Sequence, residues 1–475
     1  MVSAPIESPV SDSHMNDSKT RMRRIGVGVL VLVATIVTIT VLLARSAQPF
    51  ERRLAGPACA ECNVILVSID TLRADHLSCY GYERPTTPEI CAFFADGMRF
   101  ERAYSQSSWT APAHASMFTG LYPARHGVTY GPLIPLLRGH TTIFEHVRRN
   151  GYFTVALHGG GYVNPVMPND QLDFERNITL RQDLVSHVEE ALRSKPDESP
   201  FFVFLHGYDV HTPYAPERNY FAEPRPEIDE KARNNAYCRY EDAEDRSRFL
   251  APASIPADVG TQRYLESLYD SELREVDRSL GKLFRHLEER GLLETTLVIL
   301  TSDHGEEFWE HGSCEHVKTV YDELIHVPLF VRGPGVDSGS EARAVAASID
   351  IAPTVTEALG IPPLHSIDGR SLFSASAREI FSEAQFHYDS RHLRRYSVVV
   401  GSRKLIHNLD LEARALYDLK SDPGEHKDLL EGTPAPPRLE EPLRKYIDQG
   451  APAEQHEGEL DSKTLEQLRQ LGYIE

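Results

Sequence analysis

Residues Asn63–Asp70, NVILVSID, form a run of aliphatic and β-branched side chains that closes on an acid. An unbroken apolar run of this length reads as a strand buried on both faces, as in a parallel sheet covered by helices. Asp70 then stands at the strand's carboxyl end, the edge where open α/β sheets gather ligands. Similar runs recur in TVALH (Thr154–His158), FFVFLH (Phe201–His206), TLVILTSD (Thr296–Asp303) and VPLFVRG (Val327–Gly333). Ahead of TLVILTSD, Arg263–Arg290 carries apolar residues at three- and four-residue spacing and predicts a long amphipathic helix. Strands alternating with helices predict an α/β fold with a large, doubly wound, mostly parallel sheet.

The pattern changes beyond this core. From residue 375, YSVVVGSRKLIHN (Tyr396–Asn408) and ALYDLKSDPGEHKDL (Ala415–Leu429) give strand-like and then turn-rich stretches, followed by a helical tail, Ser462–Glu475. Residues 375–475 are therefore expected to form a smaller α+β domain behind a catalytic domain at 63–374. Between Ala215 and Gly260 the chain is polar and lacks a period, the mark of a surface excursion.

At the other end, IGVGVLVLVATIVTITVLLA (Ile25–Ala44) is twenty residues without a charge. A helix of that length reaches roughly 30 Å, the thickness of a bilayer's hydrocarbon core. Lys19, Arg21, Arg23 and Arg24 precede it, so residues 1–24 are expected to be a cytoplasmic tail and 25–44 a single-pass type II signal anchor in the plasma (inner) membrane. Residues 45–62 would be a linker, and the catalytic domain would be extracytoplasmic. Six cysteines suit an oxidising compartment, their connectivity is not readable from the sequence, and the closely spaced Cys59 and Cys62 read as a local disulfide or as free thiols rather than a zinc or redox site. A formal charge of -20 argues against a nucleic-acid partner, because phosphate backbones are held by Lys and Arg.

Three segments carry the chemistry. SIDTLRADHLSCYGY supplies Asp70, TSDHGEEFWEHGSCEHVK supplies Asp303, His304 and Lys318, and SWTAPAHASMFTG supplies a hydroxyl at Thr110 with His114 four residues on. Asp303 and His304 directly follow a buried strand and project from the same edge as Asp70. Two carboxylates and an imidazole meeting there predict a site for one divalent cation, Ca²⁺, Mg²⁺, Mn²⁺ or Zn²⁺; the imidazole is what admits the last two.

From Asn63 onward the sequence resembles the sulfatase family of the alkaline phosphatase superfamily. The resemblance rests on NVILVSIDTLRADHLSCYGY (Asn63–Tyr82), AYSQSSWTAPAHASMFTGLYPARHG (Ala103–Gly127), the helix and strand from Tyr269 to Glu306, IDIAPTVTEALGI (Ile349–Ile361) and ALYDLKSDPGEHKDL. It implies a metal held by Asp70, Asp303, His304 and Thr110, with His211 of HGYDVHTPY and Lys318 contacting the anion. The family's nucleophile is a Cys or Ser converted to formylglycine, in the pattern Cys/Ser-x-Pro-small-Arg. Here those positions are Thr110, Ala111, Pro112, Ala113 and His114. Oxidation of a threonine would give a ketone, so formylglycine is not expected and Thr110 would act as a metal-activated alkoxide. The family commonly has a second acid where Thr71 stands, and its active-site Lys and His pair is not recognisable after GYFTVALHGGG (Gly151–Gly161), where His158 alone is nearby. His114 or His316 would protonate the leaving alcohol. Asp209, His311 and His316 are the candidates for a second metal.

Three function classes follow. One is a hydrolase of sulfate or phosphate esters, acting on an anionic ester of a small molecule, glycan or lipid. The second is a phosphodiesterase or a transferase of a phosphoryl head group to surface glycan or lipid, since Thr serves as nucleophile in such members of the superfamily. The third is a non-catalytic binder that keeps the fold.

Overall fold

The computed structural model describes residues 59–129, 139–167, 169–224, 259–374, 377–388 and 391–450. The expected membrane segment at 25–44, the tail before it, most of the linker, the excursion beyond residue 224 and the tail helix at 462–475 lie outside them. Among the described residues no helix is long and apolar enough to cross a membrane.

The chain begins with β1 (Asn63–Ile69), α1 (Pro88–Phe94), β2 (Met98–Phe100), β3 (Ala103–Tyr104), α2 (Thr110–Thr119), α3 (Pro123–His126) and α4 (Ile143–Arg149). It continues through β4 (Phe153–His158), β5 (Phe174–Asn177), α5 (Leu184–Leu192), β6 (Phe201–Gly207), α6 (Val259–Glu289) and β7 (Thr296–Thr301). A two-stranded ribbon, β8 (Glu307–Phe308) with β9 (Cys314–Glu315), leads to α7 (Asp322–Ile325), β10 (His326–Val327), β11 (Leu329–Arg332), β12 (Ser340–Ala342), β13 (Ala346–Ala347) and α8 (Ile351–Leu359). The last part comprises β14 (Ile380–Tyr388), β15 (Arg391–Val400), β16 (Arg403–Asn408), β17 (Ala413–Asp418) and α9 (Pro437–Gln449).

The large sheet has the order β12-β2-β11-β7-β1-β6-β4-β5 among the described residues. β1 lies at its centre, parallel to β6 on one side and β7 on the other, while β11 runs antiparallel to β7. The expected run Val327–Gly333 thus contains a reversed strand, because the chain turns back beside β7 without a crossover helix.

The apolar runs are buried on both faces for a period-two reason. Val64, Leu66, Phe202, Phe204, Leu297 and Ile299 pack on one side with α2, α4 and α8. Ile65, Val67, Val203, Leu205, Val298 and Leu300 pack on the other with α1, α5 and α6. A long helix was expected at Arg263–Arg290; α6 covers nearly that span and buries Tyr269, Leu273, Val276, Leu280, Leu283 and Phe284. Helices on both faces leave the carboxyl edge of β1, β6 and β7 as the place where polar groups can collect.

The C-terminal four-stranded sheet, β14-β15-β16-β17, is antiparallel and shares a core with α7 and α9. It also reaches the loop that precedes α2. Ser107 bridges Glu383, the Glu383 amide donates to the Gln106 carbonyl (3.0 Å), and the Ser382 hydroxyl donates to the Ser105 carbonyl (2.6 Å). Buried Lys404 donates to Asp322 (2.7 Å) and Glu425 (3.0 Å), fixing the same sheet to α7. Cys59 pairs with Cys62 and Cys79 with Cys91, and Cys314 is also disulfide-bonded. Of the two readings of Cys59 and Cys62, the local disulfide is therefore the one found.

Candidate active site

β1 and β7 are neighbours in register, so Asp70, one residue past β1, meets Asp303 and His304, which follow β7. Ser302 stitches the two strand ends: its hydroxyl lies 2.6 Å from the Ile69 carbonyl and accepts from the Leu72 amide at 3.0 Å. Ligand atoms of Asp70, Asp303 and His304 all lie within 4.8 Å of one another. His304 Nε2 is 3.5 Å from Asp70 Oδ1 and 3.5 Å from Asp303 Oδ2. All three residues are fully buried.

The donor set fits a divalent cation. Both Asp70 oxygens and Asp303 Oδ2 are buried without a hydrogen-bond partner. Such an arrangement is costly unless a positive charge sits among the oxygens. Burial, with Asp303 and Glu306 nearby, pushes the Asp70 carboxyl well above its ordinary range; burial raises Asp303 against the opposing pull of His114. His304 Nδ1 lies 2.9 Å from the Gly305 carbonyl, which can only accept, so Nε2 is left bare toward the carboxylates. Burial lowers this imidazole to about 3, and it stays neutral and able to ligate.

Thr71, where a second acid would stand, faces elsewhere. Its hydroxyl donates to the Val210 carbonyl at 2.7 Å, its carbonyl accepts from Tyr269 at 2.9 Å, and its φ is 54°. A β-branched residue in that region is strained, and these two bonds hold it there.

Thr110 is the first residue of α2, a ten-residue helix buried throughout and ended by Gly120 at φ 69°. Its Oγ1 is 3.3 Å from His304 Nε2. The helix N-terminus beside it favours negative charge at that point, and Pro112 fits the first turn because its missing N–H would have had no helical partner. His114, one turn on, lies behind the metal ligands. Its Nδ1 is 2.9 Å from the Thr110 carbonyl and 3.5 Å from Asp303 Oδ2, and its Nε2 is 3.2 Å from Ser68 Oγ. With no solvent exposure, it is placed to hold Thr110 and Asp303 in position.

His316 and His211 close the other side. The His316 ring lies 4.6 Å from that of His304 and 4.9 Å from that of His211. Glu306 accepts from Tyr214 at 3.0 Å and holds His316 Nδ1 at 3.0 Å. Burial lowers His211 and His316 each to about 3, with Lys318 adding to the effect on His316; burial raises Glu306. Lys318 donates to the Cys314 carbonyl at 2.8 Å and contributes its charge to this group.

Glu306 and His206 were not singled out in the sequence. His206, next to last in β6 and opposite Ser68, donates from Nδ1 to the Ser68 carbonyl at 3.0 Å, and turns an unpartnered Nε2 toward Asp70 Oδ2 at 3.9 Å. An apolar run ending in His was the available signal. The nearby His158 turns away, toward Glu175 at 3.0 Å.

Asp209, His311 and His316 are not brought together. Asp209 accepts from the Leu180 amide at 2.5 Å and from the Arg181 amide and side chain at 3.2 and 3.1 Å. His311 stacks on Tyr321 at 3.5 Å and bonds Glu323 at 2.6 Å. Its imidazole is raised to about 9; burial opposes the shift, and the hydrogen bond and charge of Glu323, then Glu307 and Glu425, outweigh it. A His raised above its unfolded value stabilises fully below about pH 6.5, and the contribution is lost as pH rises through about 9. The stability difference between wild type and His311→Asn should therefore shrink over pH 6.5–9, by on the order of 2 kcal/mol, in denaturant titrations. A difference that stays flat would reject this.

A family model described as Sulfatase matches residues 62–361, and one described as N-sulphoglucosamine sulphohydrolase, C-terminal, matches residues 310–450. Arylsulfatase A of Homo sapiens is 27% identical over 424 residues, covering 78% of this chain and 83% of that protein. The fold is shared with BT4656 in complex with its substrate D-glucosamine-2-N,6-O-disulfate: TM-score 0.66, 18% identity, 83% of this chain and 100% of that one. It is also shared with the phosphonate monoester hydrolase of Agrobacterium radiobacter: TM-score 0.61, 21% identity, 82% of this chain and 96% of that one. With a sulfatase model spanning well over half its length, the carboxyl edge of β1 and β7 and the Thr110 helix included, the chain belongs to the sulfatase family and is a sulfatase-like ester hydrolase.

Proposed function

We propose that this protein hydrolyses sulfate or phosphate esters outside the cytoplasm with the unmodified Thr110 hydroxyl as nucleophile. The carrying observation is Thr110 Oγ1 at 3.3 Å from His304 Nε2, beside the buried, unpartnered oxygens of Asp70 and Asp303. Asp70, Asp303, His304 and Thr110 would hold the divalent cation, which when bound lowers the hydroxyl's pKa and offsets the charge of the ester oxygens.

The Thr110 hydroxyl gives up its proton to solvent, Oγ attacks sulfur or phosphorus, the bond to the leaving oxygen breaks, and the departing alkoxide takes a proton that His316 has acquired from solvent. Burial and Lys318 keep His316 neutral at rest. The charge of an incoming ester anion, added to Glu306, acts in the opposite direction and makes it available as the acid. Lys318 and His211 face the anion, and His114 holds the nucleophile's helix in place. Water then attacks sulfur or phosphorus, splits the Thr110 ester and regenerates the hydroxyl.

Phosphate esters are favoured over sulfate by the threonine, since the route by which a formylglycine hydrate expels sulfate is closed to it. The phosphonate hydrolase among the fold neighbours is consistent with that leaning. The disulfide-bonded Cys59, Cys62, Cys79, Cys91 and Cys314 support an oxidising compartment, in keeping with an export signal at 25–44.

The test is turnover of 4-nitrophenyl sulfate, phosphate monoesters and phosphate diesters by the metal-loaded protein, with Glu306→Gln in parallel. Glu306→Gln should cost about 10–100-fold in kcat for alkyl leaving groups and less than about threefold for 4-nitrophenyl, because only the poor leaving group needs the acid. An equal loss on both would remove His316 from that role. Turnover of aryl sulfate alone would remove the preference for phosphate. Acceleration by a glycan or lipid acceptor would replace hydrolysis with transfer.

A further inference from the structure

Tyr208 follows β6 immediately, and its ring stands edge-on between two histidines of the site, 5.1 Å from His206 and 5.6 Å from His211. The ring has room because residue 159 is glycine. A Cβ at Gly159 would lie 2.6 Å from Tyr208 Cδ2, closer than carbon atoms approach.

The phenol oxygen so placed is shielded from solvent and has no hydrogen-bond partner. The amides of Tyr162 and Val163 are close enough to be felt but do not meet hydrogen-bond geometry. A tyrosine hydroxyl is protonated near neutral pH, so this one is a donor, held beside the rings of His206 and His211. Buried polar groups are nearly always satisfied, and an exception calls for a ligand, an ion or a water to complete the bond.

We propose that Tyr208 is a catalytic residue whose O–H donates to a non-bridging oxygen of the sulfuryl or phosphoryl group bound at Thr110. The inference rests on the Thr110 reading and extends it. The anion is then bracketed by Thr110 on the helix side, by Lys318 and His211 on the ribbon side, and by the phenol on the β4 side. A neutral donor suits a place beside two carboxylates better than a second ammonium would, because it cannot pair with Asp70 and displace the cation.

The experiment compares wild type, Tyr208→Phe, Gly159→Ala and Thr110→Ala, all metal-loaded. It measures binding of inorganic phosphate and sulfate by calorimetry, turnover of 4-nitrophenyl phosphate and sulfate, metal content and melting temperature. Tyr208→Phe should bind the preferred anion about tenfold more weakly and lose about 30-fold or more in kcat, with metal content and melting temperature unchanged. Should Tyr208→Phe melt early, Gly159→Ala carries the test: it keeps the phenol but displaces the ring, and should weaken anion binding by a similar factor. Anion affinity and kcat within about twofold of wild type in the folded variants would overturn the proposal. If Thr110→Ala is inactive while the Tyr208 and Gly159 variants are unaffected, only the phenol's role fails. If Thr110→Ala is active, the nucleophile reading and this extension fail together. A wild type that binds neither anion also overturns both.

Discussion

Thr110→Ala removes turnover by at least about a thousandfold, while Thr110→Ser retains it within about tenfold. The alanine variant is expected to fold, since Thr110 opens a helix and alanine is the better helix former. His304 Nε2 loses a neighbour at 3.3 Å and the cation would lose one of its four ligands, yet Asp70, Asp303 and His304 keep their own geometry, so metal content should hold when metal is supplied in excess. Loss of rate with metal and melting temperature intact is the signature of a missing nucleophile. A slow substrate should leave a sulfuryl or phosphoryl mass on the peptide that contains Thr110, and on no other. Turnover above a few per cent in the alanine variant sinks the assignment, as does an adduct elsewhere.

Removing the metal exposes the second large effect. Without a cation, both oxygens of Asp70 and Oδ2 of Asp303 are buried without a hydrogen-bond partner. A chelator should therefore lower the melting temperature by several degrees, since a ligand at a hundred times its Kd stabilises by about 2.7 kcal/mol. Asp303→Asn reverses sign with conditions. In chelator it should melt above wild type, because one buried charge is gone, by on the order of 1–3 kcal/mol. In saturating metal it should melt below wild type and turn over at least about a hundredfold more slowly. Parallel melting curves with and without metal settle it: an Asn variant less stable than wild type in both conditions would mean that the carboxylates are not charged against each other.

The candidate metal site was legible because Asp70 and the Asp303–His304 pair each follow a continuous apolar run. Such a run fixes both the strand and its exit, so Asp70, Asp303 and His304 could be placed on one edge before any coordinates. His206 ends a run of the same kind, but its relevance depends on β6 lying beside β1, and sheet order is not written in any single segment. Glu306 sits in the acidic turn after His304, where a solvated charge looks the same as one buried against His316 and Tyr214. Asp209 and His311 misled for the converse reason. Their partners, Arg181 and Glu323, are distant enough in sequence that spacing cannot announce them, and each satisfies a residue whose chemistry otherwise suits a metal. The reversed direction of β11 was likewise hidden, since an antiparallel strand covered on both faces has the same composition as a parallel one.

The contacts between β14 and the loop before Thr110 bear on how this chain can change over time. The Ser105 and Gln106 carbonyls are fixed by Ser382 and Glu383, and Glu383 in turn accepts from Tyr446 of α9 at 2.7 Å. The position of the loop before Thr110 is thus set partly by residues more than 270 positions downstream. Recombination that exchanged the C-terminal sheet for another of equal shape could restore the apolar wall and still leave the reactive hydroxyl misaimed. A new substrate range is therefore expected to come more readily from changes in the loops around β4 and β6 than from exchange of the piece that looks most like a separate module.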